Sequence, residues 1–261
     1  MKVISLNTWG ARTGIHSLTD FLRVHHDTDV FCFQEIWQKS EAMRTPYGMF
    51  FGAYNTEGEP FDDIVFDLFD QLKTHLNDFH GFFRPAVFDF FGNAIFVRKN
   101  ITIVHEQEIF VHKHKEYIDE NNIQNHARNI QSVTLKLPKA HLTIVNIHGI
   151  AGGEKKDTPE RLVQSLNVLQ FLSTLDHPYL LCGDFNLAPE TQSIAMFENA
   201  GMANLIKQYG ITSTRSQFYK KPQRYADYAF ASPTLHVTSF SVLPDEISDH
   251  LALQIVCHPE P

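Results

Sequence analysis

Several short polar groups in this sequence share one position: each ends or directly precedes an apolar run. Val3-Ile4-Ser5-Leu6 ends in Asn7, Val30-Phe31-Cys32-Phe33 ends in Gln34-Glu35, and Ile144-Val145 leads to Asn146 and His148. Leu180-Leu181-Cys182 runs into Gly183-Asp184-Phe185-Asn186, Asp227 follows Tyr225-Ala226, and Ser248-Asp249-His250 precedes the last apolar run. If these runs are strands lying side by side, Glu35, Asp184, Asp227 and Asp249 meet on one rim with amides and two imidazoles. Gathered carboxylates repel one another and lose hydration. A divalent cation offsets that cost, and so does a protonated His beside one acid. Oxygen donors favour Mg²⁺, Mn²⁺ or Ca²⁺ over Zn²⁺. A lone Asp at a strand end is ordinarily a turn or cap residue. Asp227 is different, because a carboxylate inside an aromatic strand requires a partner.

The elements that must position these groups alternate between strands and helices. Lys2–Leu6 and Asp29–Phe33 read as strands, and Leu18–Val24 as a helix capped by Ser17. From Phe61 to Phe79, apolar residues at Phe61, Val65, Leu68, Leu72, Leu76 and Phe79 follow helical spacing. Gly92–Val97, Ile101–Val111, Ile130–Leu137 and His141–Ile147 are β-rich runs. Thr158-Pro159-Glu160 opens a second helix, with Thr158 as N-cap and Pro159 at the first helical position; Leu162, Leu166, Leu169 and Leu172 form its apolar stripe. Pro178–Cys182, Tyr225–Ala231, Leu235–Val242 and Leu251–Cys257 complete the strands. This order predicts sheets covered by helices, in the α/β or α+β class.

Composition bounds what such a chain does. It has 261 residues, a formal net charge of −8 and 22 Phe, which excludes a disordered or low-complexity chain. The acidic balance argues against coating nucleic acid over the whole surface, while leaving room for a local basic phosphate site. No linker or repeat divides the chain, so one domain over residues 1–261 is expected. Cys32, Cys182 and Cys257 each sit in an apolar run, which reads as buried, reduced thiols. The N-terminal apolar stretch is too short for a signal peptide and no run is long enough to span a membrane, so a cytoplasmic location without membrane insertion is expected.

Taken together, Asn7, Gln34-Glu35, Asn146/His148, Gly183-Asp184-Phe185-Asn186, Asp227-Tyr228 and Ser248-Asp249-His250 resemble the signature of the endonuclease/exonuclease/phosphatase superfamily. The order agrees from Lys2 to Cys257, and the pairing of Gly-Asp-x-Asn with Ser-Asp-His carries the specificity. The resemblance implies a four-layer α/β-β/α sandwich: two packed mixed β-sheets with helices outside. It also implies a divalent-metal-dependent phosphoester hydrolase using Mg²⁺ or Mn²⁺.

By that resemblance, Glu35 binds the metal, with Asp249 nearby or at a second metal site, and Asn7 orients Glu35 or touches the phosphate. Asp184 orients or deprotonates the attacking water, and Asn186 holds that water or a phosphate oxygen. His250, kept protonated by Asp227, stabilises charge on the phosphoryl group, and His148 does so from the other side. Such chemistry needs an activated water in line with the leaving oxygen and positive charge on the non-bridging oxygens. One departure stands out: where some nuclease members carry an acid two residues after the first Asn, this chain has Trp9. Thr8-Trp9-Gly10 is closer to members acting on lipid or small phosphodiesters, which implies a one-metal site centred on Glu35; the equal alternative is that Trp9 packs at the base of the site.

Substrate recognition is expected from Asn146, Asn93 and two basic loops. One loop is Gly152-Gly153-Glu154-Lys155-Lys156; the other holds Arg215, Lys220, Lys221 and Arg224. Both suit a second phosphate or a strand backbone, against the ordinary alternative of solvated surface loops. Phe90 or Phe91 is a candidate to stack on a base, against a role as a strand end. The expected substrate is a phosphodiester, nucleic acid or nucleotide. A phospholipid-head-group diesterase of the sphingomyelinase kind and a catalytically inactive binding module are the alternatives.

Overall fold

In the computed structural model, the described residues are 1–44, 63–117, 119, 125–138 and 140–259. The apolar runs at the N-terminus form β1 (Lys2–Asn7) and β2 (Val30–Trp37), which pair in parallel with Asn7 opposite Gln34. A second parallel pair is β7 (His141–His148) with β8 (Tyr179–Asp184), where His148 stands opposite Asp184. Each pair lies at the centre of a six-stranded mixed sheet.

Flanking strands add in antiparallel fashion. In the first sheet they are β3 (Phe79–Val87), β4 (Phe91–Arg98), β11 (Leu235–Val242) and β12 (Leu253–Pro259), in the order β11-β12-β1-β2-β4-β3. In the second they are β5 (Thr102–His112), β6 (Arg128–Lys136), β9 (Ala203–Asn204) and β10 (Asp227–Ala231), in the order β5-β6-β7-β8-β10-β9.

Alternation explains why the central strands are apolar throughout. Val3, Val30 and Cys32 pack with Val133, Ile144 and Leu181 of the other sheet, while Ile4, Phe31 and Phe33 face the opposite way. That outer face is covered by α1 (Ile15–Val24) and α2 (Leu68–His75), through Leu18, Phe21, Leu68 and Leu72. Strands buried on both faces read as continuous apolar runs. On the far side, α3 (Pro159–Leu172) and α4 (Gln192–Asn199) contribute Val168, Leu172, Ile194 and Phe197 to the larger core. A short α5 (Leu205–Gln208) follows. The expected four-layer arrangement is therefore the one observed.

Local details differ from expectation for identifiable reasons. Of the helix expected over 61–79, residues 61 and 62 lie outside the described residues; the helix itself covers Leu68–His75, and Phe79 starts β3 opposite Arg98. There the Phe79 ring packs on Phe31 and under the Arg98 guanidinium, 4.6 Å from the ring centre. α1 starts at Ile15 after Gly14, whose φ of 97° suits a glycine, and Ser17 lies inside the helix, with its hydroxyl turned back to the Thr13 carbonyl. The buried face of α3 is Arg161, Gln164, Ser165, Val168 and Leu172, leaving Leu166 47% exposed. Arg161 sets that rotation, because its guanidinium donates to the carbonyls of Ile150 and Gly152. β10 begins at Asp227 rather than Tyr225, and β12 at Leu253 rather than Leu251. Cys32, Cys182 and Cys257 are buried free thiols. Among the described residues, no helix is long and apolar enough to cross a membrane.

Candidate active site

The two parallel pairs end side by side, and the rim of the sandwich at those ends carries the polar groups. Asp227 begins β10 directly opposite Asp184, which ends β8. Ligands in sheets of this type gather at the carboxyl ends of parallel strands, and here a cavity of about 590 Å³ opens there.

Local backbone geometry aims each group. Between Phe33 and Ile36 the β2–β4 register shifts, and Glu35 adopts a φ of 57°. A bulge of this kind re-aims a side chain. Gln34 turns between the sheets, donating to Asn146 Oδ1 at 2.6 Å, while Glu35 reaches the rim. The Thr8 hydroxyl pins the bulge through the carbonyls of Gln34 (2.9 Å) and Glu35 (3.2 Å). At Gly183, φ is 140° and an added Cβ would sit 2.1 Å from the Ile147 carbonyl oxygen, so only glycine lets β8 approach β7 closely enough to present Asp184.

Asp184 is the point of convergence. It is 1% exposed. Its Oδ2 accepts from Asn7 Nδ2 at 3.0 Å and lies 3.7 Å from both His148 Nε2 and His250 Nε2. Its Oδ1 accepts from the Asn186 backbone N–H at 2.8 Å. The Asn7 amide also donates to Glu35 Oε1 at 3.0 Å, and His148 Nε2 lies 3.8 Å from that oxygen. Behind His250, Asp227 receives Nδ1 at 2.9 Å and is itself held by the Thr214 hydroxyl at 2.9 Å. Ser248 ties the segment to β1, its hydroxyl donating to the Asn7 carbonyl at 2.7 Å.

The two imidazoles hold different charge states. Burial pulls His250 down, but Asp227 and Asp184 outweigh it and leave it above the usual histidine range. Burial and the Arg128 guanidinium hold His148 well below that range, so it is neutral. Burial pushes the Asp184 carboxyl up, yet His250, Lys155 and Arg215 outweigh burial and keep it ionised. Glu35 is raised by burial and by the neighbouring Asp249, despite its bond to Asn7. Groups pushed apart in this way mark acid and base roles.

The residues fit a divalent cation. Glu35 is a half-buried carboxylate beside a second acid, with a neutral amide as its hydrogen-bond donor. Asp249 Oδ2 accepts from Arg215 at 2.9 Å, while its buried Oδ1 has no hydrogen-bond partner among the described residues. Ligand atoms of Glu35, His148 and Asp184 lie within 4.8 Å of one another. A site richer in carboxylate oxygen than in imidazole suits a hard cation.

Not every expected residue lines the cavity. Asn146 and Asn93 lie between the sheets: Asn146 Nδ2 donates to the Phe33 carbonyl at 3.0 Å, and Asn93 Nδ2 to the Asn129 carbonyl at 3.2 Å. Their side chains alternate inward with Gln34, so they brace the sheets behind the rim instead of reaching a phosphate. Asp227 acts from behind His250. Phe90 is fully buried and stacks on Trp37, with ring centres 6.0 Å apart, so it offers no face to a base. Phe91 does form cavity wall, its ring centre 6.1 Å from that of His148. Of the basic loops, Lys155, Arg215 and Lys221 line the cavity. Lys156 is exposed and paired with Glu154.

Sequence reasoning missed Arg128 and His126, which also line the cavity. Arg128 is 2% exposed, and its Nε and Nη1 have no hydrogen-bond partner among the described residues. Burial lowers its guanidinium only to about 10, so it stays charged. An Arg at the start of a strand reads as solvent-facing; the available signal was its place one strand over from His148.

The profile of the Endonuclease/Exonuclease/phosphatase family matches residues 4–250. Among curated sequences none matches this chain. Solved structures of similar fold include the Bacteroides thetaiotaomicron mannosyl-6-phosphatase, with 18% identity, 99% of each chain covered and a TM-score of 0.71. The human Nocturnin catalytic domain with bound sulfate aligns at 19% identity and TM-score 0.68, covering 100% of this chain and 94% of that one. D. rerio TDP2 complexed with a single-strand DNA product aligns at 17% identity and TM-score 0.67, covering 99% and 98%. Two mixed sheets with an acid, amide and imidazole rim are what this hydrolytic family builds, and the chain belongs to the Endonuclease/Exonuclease/phosphatase family.

Proposed function

We propose that this protein is a divalent-metal-dependent phosphodiesterase of the nuclease type, using Mg²⁺ or Mn²⁺. The observation that carries the reading is the convergence on Asp184 of the Asn7 amide, two imidazoles and the Asn186 N–H, with Glu35 on the same amide. That arrangement separates a base from an acid within one cavity.

Glu35 and Asp249, with Asn7 fixing Glu35, would hold the cation, which supplies positive charge to the non-bridging oxygens. Asp184, ionised and fixed by Asn7 and the Asn186 N–H, accepts a proton from the attacking water. The Asn186 side chain stands beside it to hold that water or a phosphate oxygen. His250, protonated and oriented by Asp227, donates to the phosphoryl oxygens as charge grows in the transition state. His148, neutral, contributes a hydrogen bond rather than a charge. Arg128 gives the buried phosphoryl group a guanidinium whose free N–H groups are already desolvated. The cavity, about 590 Å³ and lined also by Trp9, Arg12 and Lys221, has the volume for an ester group on each side of the phosphate.

The test is hydrolysis by purified protein with Mg²⁺, Mn²⁺ or EDTA. Substrates are DNA, RNA, a cyclic dinucleotide, a sphingomyelin analogue and a phosphomonoester, with Asp184→Ala and His250→Ala alongside. Metal-dependent cleavage of a nucleotide diester, lost in both variants, supports the reading. Preference for the monoester or the lipid analogue replaces the substrate class. Metal binding without turnover on any substrate overturns the enzyme assignment.

A further inference from the structure

Beyond helping to keep Asp184 ionised, Lys155 and Arg215 form a second cationic centre in the cavity. Lys155 and Arg215 come from loops far apart in sequence, and each is 7% exposed. Both face one aromatic ring: the Arg215 guanidinium lies 4.0 Å from the Tyr219 ring centre and the Lys155 ammonium 5.9 Å. Burial, with the Arg215 guanidinium nearby, lowers the Lys155 ammonium to about 8. Arg215 spends Nη1 on Asp249, but its buried Nε has no hydrogen-bond partner among the described residues. Among the described residues Lys155 Nζ has one hydrogen bond, a long one of 3.3 Å to Asn186 Oδ1.

The backbone is bent to achieve this. Glu154 and Lys155 both have positive φ, 51° and 60°. Two consecutive non-glycine residues in the left-handed region are a strained arrangement that the surrounding structure must enforce. The result is that Lys155 points inward while its neighbours Glu154 and Lys156 pair with each other in solvent at 2.7 Å. Loop 213–219 is equally fixed: the Ser216 hydroxyl donates to the Ser248 carbonyl at 2.5 Å, and Arg215 forms a β-bridge with His250. Two desolvated cations with spare donors, held rigidly on one ring, form a site that an anion completes.

Resting on the phosphoesterase reading, we propose that Lys155 and Arg215, seated on Tyr219, form a second phosphate subsite. The substrate then carries a second phosphate near the one that is cleaved. Arg128, on the Glu35 and His148 side, and the Lys155–Arg215 pair, on the Asn186 and Asp249 side, flank the reacting phosphoryl group. A terminal phosphate on a small molecule and the next phosphate of a strand present the same chemistry here.

The experiment compares substrates that differ only by that phosphate. One arm uses the dinucleotide ApA against 5′-phosphorylated pApA; the other uses a hexose monophosphate against the corresponding bisphosphate. The arm showing the larger preference identifies the source. Expected is a kcat/KM preference for the doubly phosphorylated partner that falls about tenfold or more in Lys155→Met and is largely kept in Lys155→Arg. A turnover-independent readout is calorimetric titration of pyrophosphate against orthophosphate into metal-free protein. Pyrophosphate should bind more tightly, and Lys155→Met should remove the difference. An unchanged preference ratio together with equal affinity for the two anions overturns the subsite. Should no phosphoester be cleaved at all, the enzyme reading fails, while the pyrophosphate titration still decides the subsite.

Discussion

A single amide nitrogen of Asn7, in the first sheet, donates to Asp184 of the second sheet and to Glu35 of its own, at 3.0 Å each. It therefore fixes the separation between the acid assigned to the water and the acid assigned to the metal. Asn7→Ala leaves both carboxylates buried without that donor. Activity should fall about 10- to 100-fold, as for other groups that orient metal ligands. Steady-state kinetics with a matched metal titration checks this: kcat and metal affinity should both decline.

In the proposed mechanism His250 is the acid, and Asp227 is the partner that raises it. The raised imidazole keeps its proton to higher pH than an ordinary histidine, and activity should decline on the alkaline side as that proton is lost. Asp227→Asn removes the charge that lifts it. The alkaline limb of the pH–rate profile should then move to lower pH, with kcat at neutral pH reduced about 10²- to 10³-fold. A limb that stays in place in this variant would assign the proton to another group.

Metal binding should be visible without catalysis. Mg²⁺ at about one hundred times its dissociation constant adds about 2.7 kcal/mol to folding, or roughly 5–10 °C in Tm for a chain of this size. Glu35→Gln should keep its fold in EDTA and lose that increment, as measured by thermal melts with and without Mg²⁺.

Lys155 should be a stability cost that function retains. Burial lowers its ammonium from 10.5 to about 8. Between those values the unfolded chain holds the proton more tightly than the folded one. Stability attributable to this group therefore rises as pH climbs from about 8 to 10.5, and the full cost is present below pH 8. Lys155→Met should be more stable at pH 7 by roughly 1–3 kcal/mol and should lack the wild-type rise at alkaline pH. Denaturant melts across pH 6–10.5 compare the two directly.

Gly183→Ala tests the close approach of β7 and β8. The new methyl meets the Ile147 carbonyl oxygen at 2.1 Å in a backbone region closed to other residues. A loss of roughly 3 kcal/mol or more is expected, with Asp184 displaced and activity lost even under conditions where the variant folds.

The rim was legible because its strands are buried on both faces. An unbroken apolar run that stops at Asn7, Glu35 or Asp184 announces both a central strand and its end. Groups off those strands were less visible. Arg128 begins β6, where a charge ordinarily faces solvent, and only the packing of the two sheets turns it inward. Asn93 and Asn146 were read as phosphate contacts because they sit near strand ends. Alternation, one residue finer than that pattern, puts them between the sheets. Phe79 continued the helical spacing of Leu72 and Leu76, yet its pairing with Arg98 makes it a strand residue. α4 escapes the sequence pattern because the apolar residues of Gln192–Asn199 form one consecutive run, Ile194 to Phe197, in a segment only two turns long.

The division of the site between the two sheets has a consequence for how activity is gained and lost. Neither sheet alone owns a working set: one brings Asn7, Glu35 and the segment leading to His250, the other His148, Asp184 and Asp227. A folding intermediate with either sheet complete and the pair undocked is catalytically silent. Turnover thus serves as a clock for the last event of assembly, the closing of the sandwich. Under mild denaturant it should vanish when the sheets part, before the hydrogen-bonded ladders within them begin to exchange.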